Sequence, residues 1–296
     1  MPHSLVLNFS PVSTIPPGFT AGKNMHGLFL NLVSQVDAGL GDRLHNNQAN
    51  KPFTLSPLQI SSKPGVNLKH IDNPNRLRWN YRQPLTTGTP CWWRVSLLED
   101  TLFSQLSPLW LNLKPEQPWH LGPANLRITS VLGTPQSTQP WANFCDYSEL
   151  YTQASERDRK LTLQFHTPTA FRQGKYDAYL PTPERVFGSL LRRWNVYSGL
   201  PFPKEILGYI GEGKYNTHSE KVNDPRSQFQ STGAKLSPCN QFVGSVGTVT
   251  YQLQGRVDAD IVKQLNTLAD YALYAGVGRK TPMGMGMTKR VVQAQK

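Results

Sequence analysis

The sequence predicts an α+β protein of two tandem domains, each with the element order β-α-β-β-α-β. Three observations lead to this prediction. The strand-like segment LVLNFSP, which begins at Leu5, has a near copy in LTLQFHTP, which begins at Leu161. A helix with apolar residues at helical spacing follows each copy. Further strand segments and a second helix complete the pattern, so the same order occurs twice along the chain.

In the first half, the helix after the opening strand has one apolar face: Met25, Phe29, Leu32, Val33 and Val36. The segments PFTLSPLQI and PCWWRVSLL then predict strands, and DTLFSQLSPLWL predicts a short helix. NLRITSVLG predicts the closing strand. Residues 1–135 are therefore expected to form an N-terminal domain.

In the second half, the corresponding helix face holds Val186, Phe187, Leu190, Leu191 and Trp194. FVGSVGTVTYQLQG predicts a strand or hairpin, DADIVKQLNTLADYALYA a helix, and MGMGMTKRVV the last strand. Both halves thus have the ferredoxin-like order. We expect a C-terminal domain over 159–296, a linker over 136–158 that is rich in Pro, Gln, Thr and Ser, and a basic cleft between the two domains.

The charge of the chain favours a polyanionic partner. It has 31 Lys and Arg against 19 Asp and Glu, a net charge of +12, and most of this excess lies after Tyr151. Each phosphate that a basic surface neutralises releases counterions, so nucleic acid is a natural partner. Three widely separated cysteines predict neither a disulfide framework nor a zinc site. No membrane span or signal peptide is expected, which makes the cytoplasm the default compartment.

A glycine-rich basic segment, AGVGRKTPMGMGMTKRV, runs from Ala275 to Val291. It lacks the glycine that a P-loop places before Lys-Thr, and it follows a helix, unlike a dinucleotide-binding turn. A helix C-cap and turn would explain the first glycines. The alternating glycines and the cations at the crest instead favour contact with RNA phosphates. The residues expected to make this contact are Gly278, Arg279, Lys280, Gly284 and Gly286.

His26, in KNMHGLFLNLV, is the candidate catalytic residue. It lies in the first turn of the first helix, where the positive end of the helix dipole disfavours imidazolium and leaves a neutral proton acceptor. The corresponding place in the second half holds Phe187, so the fold itself does not require a histidine there. A satisfied surface histidine is the alternative. Lys23, one turn earlier, and Lys51, at the start of the next strand, are candidates to hold a phosphate.

Several other charged and aromatic residues can be explained by a structural role as well as by a functional one. Asp258 and Asp260 fit the N-cap and first turn of the last helix better than a metal site, and no carboxylate cluster suggests two-metal chemistry. Arg192 and Arg193 point either toward the cleft or into solvent. The segment RLRWNYRQ, from Arg76 to Gln83, combines three arginines with two aromatic residues. It suits base stacking or a strand edge with inward-packed rings.

Together these segments resemble the CRISPR-associated endoribonucleases that cut precursor CRISPR RNA within its repeats, members of the RAMP superfamily. The resemblance covers nearly the whole chain. The segments that carry it are HGLFLNLV, KPFTLSPL, WRVSLLEDTLFSQL, FHTPTAFRQG, LPTPERVFGSLLRRWN, FVGSVGTVTYQL and LADYALYAGVGRKTPMGMGM. The last of these matches the glycine-rich loop that the superfamily has between its final helix and final strand.

The resemblance implies that the cleft and the glycine-rich loop bind repeat RNA. It also implies cleavage without metal or cofactor, in which the 2′-OH attacks the phosphate and leaves a 2′,3′-cyclic or 3′ phosphate and a 5′-OH. His26 takes the acid/base role, and Lys51, or with less support Lys23, stabilises the phosphorane. The residues assigned to RNA backbone contact are Arg172, Arg192, Arg193, Arg279 and Lys280. An interference complex that receives the product and a second copy of this chain are the further partners to consider.

The chain departs from the family pattern in two places. Some members have a tyrosine upstream of the histidine, but no tyrosine precedes Tyr81 here, and Ser13, Thr14 and Thr20 occupy the loop. The lysine that some members place one or two turns after the histidine is also missing. The main rival interpretation is a catalytically inactive RAMP subunit that binds guide RNA, which would not need His26. A tandem RRM protein is disfavoured because neither half has the aromatic RRM strand motif.

Overall fold

Two main antiparallel sheets, each covered by helices, and a separate two-stranded hairpin make up the described part of the computed structural model. This part comprises residues 1–46, 51–61, 76–113, 117–223 and 241–291. The elements of the N-terminal sheet and its helices are β1 His3–Pro11, α1 Lys23–Val36, α2 Ala38–Asn46, β2 Phe53–Leu55, β3 Gln59–Ile60, β4 Cys91–Leu97, α3 Asp100–Gln105, α4 Ser107–Leu111, β5 Trp119–Leu121, β6 Ala124–Leu132 and β7 Asn143–Phe144.

The C-terminal elements repeat this order. They are α5 Tyr147–Gln153, β8 Lys160–Thr169, β9 Phe171–Gln173, β10 Tyr176–Ala178, α6 Pro183–Tyr197, β11 Ile210–Asn223, β12 Gln241–Leu253, α7 Ala259–Ala275 and β13 Thr288–Arg290, with short 3₁₀ helices at Lys204–Tyr209 and Thr281–Met283. The main strand orders, β2-β4-β1-β6 and β11-β12-β8-β13, are equivalent. Both are the ferredoxin-like arrangement, so the predicted fold class is confirmed.

The predicted helix faces pack into two hydrophobic cores. Helix α1 buries Met25, Phe29, Leu32 and Val33 against the first sheet, while Val36 is only partly buried. In the second core every apolar residue predicted for α6 is buried. The central strands β1 and β8 are hydrogen-bonded to neighbouring strands on both edges. Their apolar residues, among them Leu5, Leu7, Leu161 and Leu163, lie in the two cores.

Two parts of the chain differ from the sequence-based expectation. FVGSVGTVTYQL forms one strand, β12, which is the first of the two predicted alternatives, but its partner β11 was not predicted. Strand β11 lies at the sheet edge and reads IGEGKYNTHSEKVN, so its polar side chains give no apolar alternation. The stretch expected to be a linker contains β7, which pairs with β1, and α5, whose Tyr147 packs into the second core.

A buried arginine joins the two domains at the end of α7. The Arg94 side chain, 1% exposed on β4, donates to the Ser4 and Thr54 hydroxyls and to the carbonyl oxygens of Leu273 and Tyr274. Burial lowers the pKa of Arg94 to about 9, so it remains charged at pH 7. A cation from the first domain therefore interacts favourably with the negative end of a helix dipole in the second.

The glycine-rich segment folds back on itself directly after α7. The Val277 N–H donates to the Gly286 carbonyl at 2.8 Å. Gly286 has φ +71°, and an added Cβ would lie 1.9 Å from the Val277 oxygen. No side chain fits this close approach of two backbone segments.

Replacing Gly286 with Ala should therefore lower the free energy of unfolding by about 2–4 kcal/mol, through the forced backbone shift and the positive φ. Gly27 in helix α1 is the matched control, because nothing lies within 4 Å of its added Cβ. Gly27→Ala should raise stability by about 0.5–1 kcal/mol. Urea unfolding of both variants measures this, and equal stabilities would contradict the packing described.

Candidate active site

A cleft of about 560 Å³ lies between the first helix of the N-terminal domain and the glycine-rich loop of the C-terminal domain. Among the described residues that line it, seven are cationic and one, Glu184, is acidic. The predicted residues that it brings together are His26, Lys51, Arg172, Arg192, Arg193, Gly278, Arg279 and Lys280. Lys23, Gly284 and Gly286 lie outside this lining. The cleft is therefore a strongly positive surface with one histidine in it.

His26 is held by both domains. Helix α1 begins after Gly22, whose φ of 62° starts the helix without a side-chain cap, and the His26 N–H donates to the Gly22 carbonyl at 3.1 Å. The His26 ring stacks on Phe53 with centroids 5.7 Å apart. Its Nδ1 lies 3.1 Å from the carbonyl oxygen of Pro282, in the glycine-rich loop.

This contact determines which ring nitrogen of His26 carries the proton. A carbonyl oxygen only accepts, so Nδ1 must be the donor and Nε2 keeps its lone pair. Burial lowers the pKa of His26 to about 4, and the positive charges of Lys51 and His45 act in the same direction, while the Pro282 hydrogen bond opposes them. The imidazole is therefore neutral at pH 7, with a proton-accepting nitrogen in a basic cleft.

Lys51 lies beside the histidine. Its Nζ donates to the carbonyl oxygens of Leu44 and His45 at the end of helix α2. It also lies 5.9 Å from the centroid of the Phe53 ring, on which His26 stacks. Burial lowers the pKa of Lys51. The fully buried Phe53 thus keeps the imidazole and the ammonium group next to each other.

Arg193 anchors the glycine-rich loop. Its guanidinium donates to the carbonyl oxygen of Ala275, the last residue of α7, and to the Thr281 hydroxyl at 2.6 Å. Burial lowers the pKa of Arg193 to about 10. These contacts are to protein, so the geometry assigns Arg193 to loop positioning, whereas the exposed Arg192 points its charge into the cleft without such an anchor.

The glycines of the loop do not offer their N–H groups to a ligand. Gly278 donates to the Ser189 hydroxyl, Gly284 to the Thr281 carbonyl and Gly286 to the Pro168 carbonyl, and all three are buried. Their backbone N–H groups are therefore used within the protein. Their small size is needed because the loop packs tightly against other backbone segments.

The two cations at the crest are placed differently from each other. Arg279 forms an ion pair with Asp177 of strand β10, and its backbone N–H donates to the Ala170 carbonyl at 2.9 Å. Lys280 lies with its Nζ 3.4 Å from the centroid of the Phe242 ring. Lys280 also has φ 55°, and among the described residues no other non-glycine has a positive φ. Such a backbone costs free energy and is common at functional sites.

Several residues of the site could not be identified from the sequence. The partner of His26 is a backbone carbonyl, which has no sequence signature. Asp177 stands in a hairpin, β9–β10, that was not predicted, and Arg185, in the first turn of α6, was not singled out. The aromatic residues of RLRWNYRQ pack inward, as the structural alternative proposed: Trp79 lies under Met285 of the loop, and the Tyr81 hydroxyl accepts the Ile60 N–H. Asp258 and Asp260 occupy the N-cap and first turn of α7, which confirms their assignment.

Among the described residues, no three His, Cys, Asp or Glu side chains come together in a way that could hold a metal ion. No helix of the described residues has the length and apolar character needed to cross a bilayer.

Two family models match this chain. The model of the CRISPR Cas6 N-terminal domain matches residues 1–152, and that of the CRISPR-associated endoribonuclease Cas6 matches residues 163–288. The chain belongs to the Cas6 family. It is an endoribonuclease of CRISPR RNA processing, and the resemblance read from its sequence is confirmed. The rival interpretation, an inactive guide-binding subunit, is not supported.

Solved Cas6 structures match nearly the full length. A product complex of Thermus thermophilus Cas6 (TTHB231) is 28% identical, with 98% of this chain and 100% of that chain covered and a TM-score of 0.74. A product complex of Cas6 (TTHA0078) is 25% identical, with 98% and 99% covered and a TM-score of 0.71. An RAMP protein that is 11% identical, with a TM-score of 0.56, shares the fold. No curated protein sequence matched.

The unusual backbone of Lys280 leads to a test. Lys280→Gly and Lys280→Ala both remove the ammonium group and its contact with Phe242, but only glycine removes the left-handed strain. Glycine should therefore give a free energy of unfolding about 0.5–1 kcal/mol higher than alanine, after allowing for its greater chain entropy. Thermal unfolding of the two variants measures this. A more stable alanine variant would contradict the left-handed conformation.

Proposed function

We propose that this Cas6 protein cuts precursor CRISPR RNA within its repeats without a metal ion, with His26 as the general base. The observation that carries the proposal is the hydrogen bond from His26 Nδ1 to Pro282, because it leaves Nε2 as a neutral acceptor in a cationic cleft. The similar Cas6 structures are described as product and substrate-mimic complexes. These complexes support the proposal that this chain also binds repeat RNA.

The proposed reaction is an internal transesterification. His26 Nε2 takes the proton from the 2′-OH of the nucleotide before the cleavage site, and the 2′ oxygen attacks the adjacent phosphorus. The bond from phosphorus to the 5′ oxygen breaks, and that oxygen takes up a proton from water, while His26 returns the proton it accepted to the solvent. The products are a 2′,3′-cyclic phosphate and a 5′-OH. Every atom of the new bond comes from the RNA, so the protein supplies proton transfer, orientation and charge.

Positive charge near His26 supports this chemistry. A pentacoordinate phosphorane carries more negative charge than the phosphodiester, and a cation held at that position stabilises it. Lys51 is the candidate, because its ammonium is fixed by two carbonyl oxygens beside the same phenylalanine as the imidazole. Lys23, at the start of α1, lies outside the lining of the cleft and is the weaker candidate. Arg172, Arg192, Arg279 and Lys280 are proposed to contact the RNA backbone.

The proposal predicts that cleavage of a labelled repeat proceeds in excess EDTA and depends on His26. His26→Ala should lower the cleavage rate by about 10²–10⁴-fold, the usual contribution of general acid–base catalysis, with little change in RNA affinity. His45→Ala is the matched control, because His45 is exposed at the end of α2. This variant should cleave RNA at the same rate as the parent chain. A parent protein that EDTA inactivates, or equal losses of rate and affinity in His26→Ala, would overturn the proposal.

The pH dependence of cleavage tests whether His26 acts as base. The base must be neutral, and a pKa lowered to about 4 means that nearly all of it is neutral above pH 5. The value of kcat/KM should therefore stay level between pH 5 and 8 and fall only as the pH approaches 4. An unperturbed histidine would instead lose activity below about pH 6.5. If His26 were the acid, kcat/KM would fall as the pH rises above 4.

A further inference from the structure

Asp177 lies between two arginines that the proposed function assigns to RNA. On the β9–β10 hairpin it pairs across the strands with Arg172, whose Nη1 lies 3.4 Å from Asp177 Oδ1. The same oxygen accepts from Nη1 of Arg279, in the glycine-rich loop 102 residues later. Two cations from different parts of the chain thus converge on one anionic oxygen.

The three groups lie at the edge of the cleft. Both arginines line it. The side chain of Arg172 is 57% exposed, that of Arg279 is 25% exposed and that of Asp177 is 20% exposed. One carboxylate cannot neutralise two guanidinium groups, so a net positive charge remains at this point. Guanidinium groups bind phosphate as well as carboxylate, because both present paired oxygens to the planar N–H fork.

The backbone around these side chains is held independently of the carboxylate. The Arg279 N–H donates to Ala170, directly before β9, and the Gly278 N–H donates to the Ser189 hydroxyl. Arg185 binds the Gln173 side chain and the Leu180 carbonyl on either side of the hairpin. The loop and the hairpin therefore stay together when the charge of Asp177 is removed. Neither arginine then has another carboxylate partner among the described residues, although Arg279 keeps its contact with the Phe242 ring, whose centroid is 5.6 Å away.

We propose that Arg172 and Arg279 form one phosphate subsite and that the Asp177 carboxylate occupies it in the free protein. This inference rests on the proposed function. An RNA phosphate that binds there displaces the carboxylate, so each binding event includes the cost of breaking two charge-assisted hydrogen bonds within the protein. Asp177 therefore lowers the affinity of the cleft for RNA and speeds release of the cut product.

The opposite role for Asp177 gives the opposite result. If the carboxylate only held Arg279 in the orientation that RNA requires, its loss would disorder the arginine and weaken binding. The sign of the change in affinity thus separates a carboxylate that competes with phosphate from one that braces the site.

The test uses the full-length chain with Asp177→Asn, which keeps the shape of the side chain, and a repeat RNA with a 2′-deoxy nucleotide at the cleavage site. Equilibrium binding is measured at fixed salt, because salt screens these charges. Asp177→Asn should bind about 5- to 20-fold tighter than the parent, the size expected for freeing a charge-assisted pair. The release rate of the cut product should fall by a similar factor.

Glu156→Gln is the matched control. Like Asp177→Asn, it removes one negative charge. Glu156 forms its ion pair with Lys263, and neither residue belongs to the cleft lining. It should change the affinity by less than about twofold, since charges beyond the Debye length are largely screened. Asp177→Ser, uncharged and smaller, gives a second readout of the same effect if the asparagine variant fails to fold.

Combining the substitutions shows whether Asp177 acts through the two arginines. In a background that carries both Arg172→Gln and Arg279→Gln, the gain from Asp177→Asn should shrink to less than about twofold, because both blocked cations are gone. An Asp177→Asn variant that binds no tighter than Glu156→Gln, or a gain that persists without the two arginines, would overturn the inference. If the parent chain itself binds no repeat RNA, the proposed function fails instead, so the two failures are distinguishable.

Discussion

The contact between the Pro282 carbonyl and His26 Nδ1 depends on how the end of helix α7 is held. Two buried arginines, Arg94 from the first domain and Arg193 from the second, donate to its last carbonyl oxygens. Burying an arginine is unfavourable unless its donors are satisfied, and here the oxygen-rich helix end satisfies them. The loop that follows α7 therefore leaves the helix in one direction, which brings Pro282 to the histidine.

This arrangement divides the work of the glycine-rich loop between its backbone and its side chains. The glycine N–H groups are used within the protein, so the backbone serves as a scaffold between domains. The side chains of Arg279 and Lys280 are carried on that scaffold toward the cleft. Substitutions at the glycines should thus act mainly through folding, whereas substitutions at the two cations should act mainly through charge.

Much of the fold could be predicted from the sequence because it is repeated and its apolar faces have clear periods. Strand β11 was not predicted, because the side chains of this edge strand are polar and show no apolar alternation. His26 could be proposed as a site residue from its place at a helix start. The groups around it could not, since Pro282 acts through a main-chain oxygen and Asp177 reaches Arg279 across 102 residues. The first of these contacts arises from the packing of one domain on the other, and the second from the folding of the C-terminal domain, so neither has a local sequence signature.

The distance along the chain between His26 and its partner has a consequence for synthesis. Pro282 follows His26 by 256 residues, so a ribosome has made nearly all of both domains before the partner of the histidine exists. Until then the ring has no carbonyl to fix its tautomer. A nascent chain that has folded only its first domain carries the histidine but lacks the cationic wall opposite it. The candidate active site is thus complete only after translation has passed the loop.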